Sequence, residues 1–298
     1  MKRAFTCLLI LSVVLPLMAD TNNTDSDASN EVSKIEGDSS DPERLFLLGR
    51  KYLMGDGVDK DPAKALELML EAAKQGYGPA LGGVGYFYSI GLTVELDDTE
   101  AVMWFRQGAE KGDARAQYNL AQMLVVGRGG DKNEAEGLQW LEKAATQDMV
   151  DAVFALGEAH FLAKFGLPNN AEKAFPLYLK AAKLGNVKAQ NSVGVMYRFG
   201  QGTKTDLALA KDWFLKAANQ DDARAQSNLG QMYRIGEGFD RDLIEAVFWL
   251  KLSTRQGDVT AARLLEGILV AMPADDVRAA NQKVSEWTTK RASAPANP

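Results

Sequence analysis

Apolar and small side chains recur along most of this chain at spacings of three and four, the period of an amphipathic helix. Between Ala223 and Ile235 they fall at Ala225, Leu229, Met232 and Tyr233, on one helical face. A Gly-x-Gly break follows at Gly236 and Gly238, then Asp242, then a second periodic stretch that closes near Gly257. The same order of events opens at Pro42, Gly78, Ala114, Val150, Val187 and Ala223, with a partial copy at Val259. The steps between these openings are 36, 36, 36, 37, 36 and 36 residues. A period held that closely predicts an array of helix pairs, each unit covering its neighbour's apolar face.

The punctuation of each unit has a physical reading. Glycine pairs at Gly55/Gly57, Gly127/Gly129, Gly200/Gly202 and Gly236/Gly238 end the first helix by way of the left-handed conformation. The second copy keeps Gly91 with Thr93, and the fourth departs furthest, running Ala163 to Pro168 with a one-residue insertion. The second helix is expected after Asp61, Asp97, Asn133, Asn170, Asp206 and Asp242, residues whose side chains accept the unpaired amides of a helix start. Small residues recur mid-helix at Gly49, Gly85, Ala121, Gly157, Gly194 and Gly230, and again at Ala65, Ala101, Gly137, Ala174, Ala210 and Ala246. Glycine inside a helix costs about 1 kcal/mol against alanine, so its recurrence predicts close approach of the paired helices. Trp104, Trp140, Trp213 and Trp249 share one repeat position, filled by Leu68 and Leu177 in the other copies. That placement predicts core packing in preference to an aromatic ligand cage.

Ala-x-Ala-Gln-x-x-Leu-Gly-x-x-Tyr, then Gly-x-Gly, Asp, Ala, Trp and Lys-Ala-Ala, resembles the Sel-one-like repeat (SLR), a relative of the tetratricopeptide repeat (TPR). The match is carried by Ala189-Gln190, Ala225-Gln226, Leu229-Gly230, Tyr233, Gly236, Gly238, Asp242, Ala246 and Trp249, with Lys216-Ala217-Ala218 supplying the last motif. Val187 replaces the opening alanine in the fifth copy. The resemblance spans residues 42–258. It implies an all-α, right-handed α-α superhelix, a solenoid of about six helix pairs with the first helices lining the concave face. It also implies a protein- or peptide-binding scaffold, in bacteria often in the periplasm or cell envelope, and no reaction. Residues 259–291 fit a partial repeat and a closing cap: Pro273 opens a last helix with Asp275 and Asp276 in its first turn, and Trp287 is placed to cover the final apolar edge. Residues 292–298 read as a tail.

The N-terminus has a different pattern. Lys2 and Arg3 precede an apolar run from Ala4 to Leu17, and Ala19 stands before Asp20, the layout of a secretory signal peptide over residues 1–19. The run is shorter than the roughly 20 residues that span a bilayer, so no stable transmembrane span is expected; the alternative is an uncleaved anchor. Cleavage after Ala19 would remove Cys7, the only cysteine, which suits a periplasmic or secreted protein. Residues 20–41, rich in Ser, Asn, Thr and Asp, read as a disordered acidic linker. The whole chain carries a net charge of −6 with 25% charged residues and no basic stripe, which argues against nucleic acid as a partner.

Candidate chemistry is sparse. His160 is the only histidine and occupies the position held by Tyr52, Tyr88, Tyr197 and Tyr233, which predicts a packing role. No cysteine of the mature chain supports thiol catalysis or zinc, no cofactor or metal is implied, and none of the Gly-x-Gly breaks continues into the Gly-Lys-Ser/Thr of a phosphate loop. The reading is therefore of a monomer that binds a protein or peptide and is not an enzyme. Two alternatives stay open: a periplasmic regulator restraining a membrane sensor, and a cell-wall-related hydrolase. The candidate partner-binding residues are the variable first-helix positions Tyr118, Asn119, Gln122, Asn191, Arg198, Asn228, Gln231 and Arg234. Their amides can grip an extended backbone, and Arg198 and Arg234, one unit apart, are placed to clamp a carboxylate.

Overall fold

The computed structural model describes residues 40–293. The expected signal peptide, residues 20–39 of the expected linker, and residues 294–298 of the tail lie outside the described residues. Among the described residues there are fourteen helices and no strand. The chain divides at Met149/Val150 into two compact units.

Unit 1 holds α1 (Pro42–Met54), α2 (Pro62–Lys74), α3 (Gly78–Ile90), α4 (Asp98–Glu110), α5 (Ala114–Val126) and α6 (Glu134–Thr146). Unit 2 holds α7 (Val150–Phe161), α8 (Ala171–Lys183), α9 (Val187–Phe199), α10 (Leu207–Ala218), α11 (Ala223–Ile235) and α12 (Leu243–Arg255), closed by α13 (Val259–Leu269) and α14 (Ala274–Ala292). Within each unit every helix of the six full repeats packs on the next, so three successive helix pairs stack one against another, and in unit 2 both α13 and α14 pack on α12. In unit 1 the first helices also meet their counterparts one repeat on, α1 against α3 and α3 against α5.

Local chemistry sets these boundaries. All six predicted Asp and Asn residues cap the second helices, each side chain accepting a backbone N–H in the first turn. Their own amides donate back to one fixed carbonyl of the first helix: Tyr52, Tyr88, Leu124, His160, Tyr197 and Tyr233, at 2.7–3.1 Å. That single bond folds each second helix onto its partner, and His160 serves it in the fourth copy as tyrosine or leucine does elsewhere. First helices end in a left-handed glycine in five copies; in the fourth, Ala163 takes that conformation at φ 54°. A second set of caps was not singled out from the sequence. Asp41, Asp113, Asn186, Asp222 and Asp258 cap α1, α5, α9, α11 and α13 through their side chains.

The small mid-helix residues do bring the pairs together: a Cβ added at Gly194 would lie 2.7 Å from the Phe214 ring. Trp213 and Trp249 are buried in unit 2, while Trp104 and Trp140 are half-buried against the apolar clusters of unit 1. At the C-terminus Trp287 of α14 sets its ring edge-on to Phe248 and Trp249, with centroids 5.7 and 5.6 Å away, and so covers the last apolar edge. Among the described residues no helix is long and apolar enough to cross a membrane.

Candidate interaction surfaces

The first helices of unit 1 enclose a groove of about 500 Å³. Its floor is α3, where Gly82 and Gly83 follow one another and put no side chain into the space. Phe46 and Arg50 of α1 form one wall, and Ala114, Arg115 and Asn119 of α5 form the other. Lys111, Gly112 and Asp113 close one end, with Gln147 beside them. The glycines are tightly backed: a Cβ on Gly83 would meet Met69 Sδ at 2.7 Å, and one on Gly82 would meet Asp113 Oδ1 at 3.1 Å. Three basic side chains, Arg50, Lys111 and Arg115, and one carboxylate, Asp113, line the groove. Burial pushes the Asp113 carboxyl up from its ordinary range, opposed by the Ala116 amide that it caps at 2.7 Å and by Arg115. The groove thus combines an apolar wall, amides that donate and accept, and a basic rim, the features that hold a stretch of polypeptide.

Of the sequence candidates, only Asn119 lines this groove. Gln122 is half-buried on the same helix, and Tyr118 is buried at 6% exposure, so its side chain belongs to the core. In unit 2, Asn228 donates to Asn191 Oδ1 at 3.0 Å, linking α11 to α9; Asn191 is buried and Asn228 half-buried. Gln231 and Arg234 are half-buried on α11.

The expected pairing of Arg198 with Arg234 around a partner's carboxylate needs correcting. Arg198 is 8% exposed, and its guanidinium is already taken by the chain itself. Glu237, in the Gly236–Gly238 loop of the next repeat, places Oε2 2.9 Å from Nε and 2.5 Å from Nη2. The same loop position does related work in unit 1, where Arg128 donates to the Ser89 carbonyl at 2.8 Å and pairs with Asp98. At Arg128 and Glu237 the x of Gly-x-Gly is therefore a stacking residue that reaches the repeat before it.

A buried glutamine relay also went unread as a contact, although Gln190 and Gln226 stood out as signature residues. Gln117, Gln190 and Gln226 donate to Ala109, Ala182 and Ala218 of the preceding repeat at 3.1–3.3 Å. Each accepts from Gln147, Gln220 or Gln256 of its own repeat at 2.8–2.9 Å. Glutamine at both positions, thirty residues apart, occurs only in those three copies, and that co-occurrence was the available signal. No group of three His, Cys, Asp or Glu able to hold a metal is found among the described residues.

The family model described as Sel1 repeat matches residues 45–77, 79–113, 114–149, 150–186, 187–222 and 223–258. The chain is similar in structure to c5321, a protective antigen present in uropathogenic Escherichia coli strains and displaying an SLR fold. Identity is 30% and the TM-score 0.72, over 89% of this chain and 56% of that one, so the chain spans little more than half of the antigen. It is also similar to a Sel1 repeat protein from Oxalobacter formigenes, 26% identical with a TM-score of 0.64, over 78% of this chain and 97% of that one. No curated protein matches it.

Proposed function

The chain belongs to the Sel1 repeat family, whose members are generally protein-interaction scaffolds, and on that premise we propose that it is a non-enzymatic scaffold of the bacterial cell envelope that binds a partner polypeptide. The groove between α1, α3 and α5 is the observation that supports this reading best. Its volume of about 500 Å³ suits a few residues of extended chain, and Arg50, Arg115 and Asn119 line it from helices. The basic rim favours a segment that carries acidic residues.

A photo-crosslinking residue placed at Asn119 in living cells tests the reading. A discrete adduct with one protein is expected from Asn119, and none from Glu142, an exposed position of the second helix α6. Equal capture from both positions, or none from Asn119, would overturn it. The envelope location rests on Lys2, Arg3 and the apolar run to Leu17, and is a proposal about export after cleavage at Ala19.

A further inference from the structure

Arg198 and Arg234 occupy one position in successive repeats, thirty-six residues apart, on α9 and α11. At Arg198 the structure shows what that position does. The guanidinium lies on its side against a single carboxylate oxygen of Glu237, delivered by the loop of the following repeat. Counting one further period from Glu237 leads to Pro273, which has no carboxylate to offer. The glycine loop is replaced there by the turn from α13 into the capping helix α14. Of the two acids that follow, Asp275 is paired with Arg278, and neither it nor Asp276 forms an ion pair with Arg234 among the described residues. Arg234 is half-buried, and its Nε is fully buried and meets no acceptor among the described residues. A buried donor without an acceptor destabilises the fold, more so when it carries charge.

We propose that Arg234 is a binding position for a carboxylate side chain of the partner polypeptide, received at the Nη end of the guanidinium that Arg198 turns to Glu237. The array presents at its last repeat the half-site that it fills internally one repeat earlier. A partner glutamate there would stand where the next repeat's loop would have placed its own. The assignment rests on the reading of the chain as a polypeptide-binding scaffold but not on the unit 1 groove. Loss of capture at Asn119 would leave Arg234 standing, and failure at Arg234 would leave the groove standing.

The test follows the arginine Nε–H signals of the full chain by NMR. Arg234 is assigned from an Arg234→Lys variant, and Arg198 from its response to Glu237→Gln. The probe is acetyl-Gly-Glu-Gly-amide, the Gly236–Gly238 loop in miniature, with acetyl-Gly-Gln-Gly-amide as its neutral control. The Arg234 signal should move saturably with the glutamate peptide, with a Kd on the order of 1 mM, about tenfold tighter than for the glutamine peptide. Arg198 should stay fixed in the native chain and respond in the same manner in Glu237→Gln. An Arg234 signal that stays still, moves equally with both peptides, or moves in step with exposed arginines such as Arg278 would overturn the proposal. Silence at Arg198 in Glu237→Gln alongside a silent Arg234 would do so as well, since the template itself would then not bind.

Discussion

Asp222 and Asn186 hold the same place in successive repeats and make the same bond, accepting the amide three residues on at 2.7 and 2.8 Å. They differ in charge. Burial pushes the Asp222 carboxyl above its ordinary range, with the capped amide and Arg224 acting against that shift. A carboxyl whose folded pKa is raised binds its proton more tightly when folded, so its ionised form subtracts from stability. That loss is complete above the folded pKa and absent below the unfolded one. Asp222→Asn keeps the acceptor and removes the charge, as Asn186 already does. The variant should therefore melt slightly higher than the native chain at pH 7. The difference should vanish as the pH falls through the carboxylate range, because the native side chain is then neutral too. Thermal melts at both pH values check this, and a lower melting temperature for the variant at pH 7 would refute the assignment.

Elements join where a loop of one repeat meets the helix start of the one before. Gly202 has φ 67°, and a Cβ there would fall on the backbone carbonyl of Ala171, at the start of α8. Gly185 also has positive φ, at 94°, but has nothing within 4 Å. Gly202→Ala should thus combine left-handed strain with a clash against backbone that cannot yield, roughly 3 kcal/mol in all, while Gly185→Ala shows the strain alone, about 1 kcal/mol. Equal losses in denaturant unfolding would mean that the stacking contact carries nothing. The contrast also shows what was legible beforehand. Periodicity and the Asp and Asn caps placed all six second helices, since both depend on neighbours within a few residues. Arg198 was misplaced at the surface because its partner comes from another repeat. Arg198 meets a carboxylate thirty-nine residues further on, a contact that no count along one helix reveals. The groove was legible only in part: Asn119 was among the variable first-helix positions, but Lys111 and Asp113 lie at a helix end and its following cap.

For the whole molecule, two proposals remain to be joined, export and binding. Export predicts that the protein isolated from the envelope begins at Asp20 on N-terminal sequencing; an intact Met1 would contradict cleavage. Binding is the central claim, and filling the groove tests it most directly. Ala114 is half-buried, opens α5 and lines the groove, so Ala114→Trp should occupy the space without entering the core. With the crosslinking residue kept at Asn119 and the melting temperature unchanged, the account predicts that the partner adduct falls at least about tenfold, the loss of roughly 1.4 kcal/mol of binding. An adduct of undiminished yield in that folded variant would contradict it.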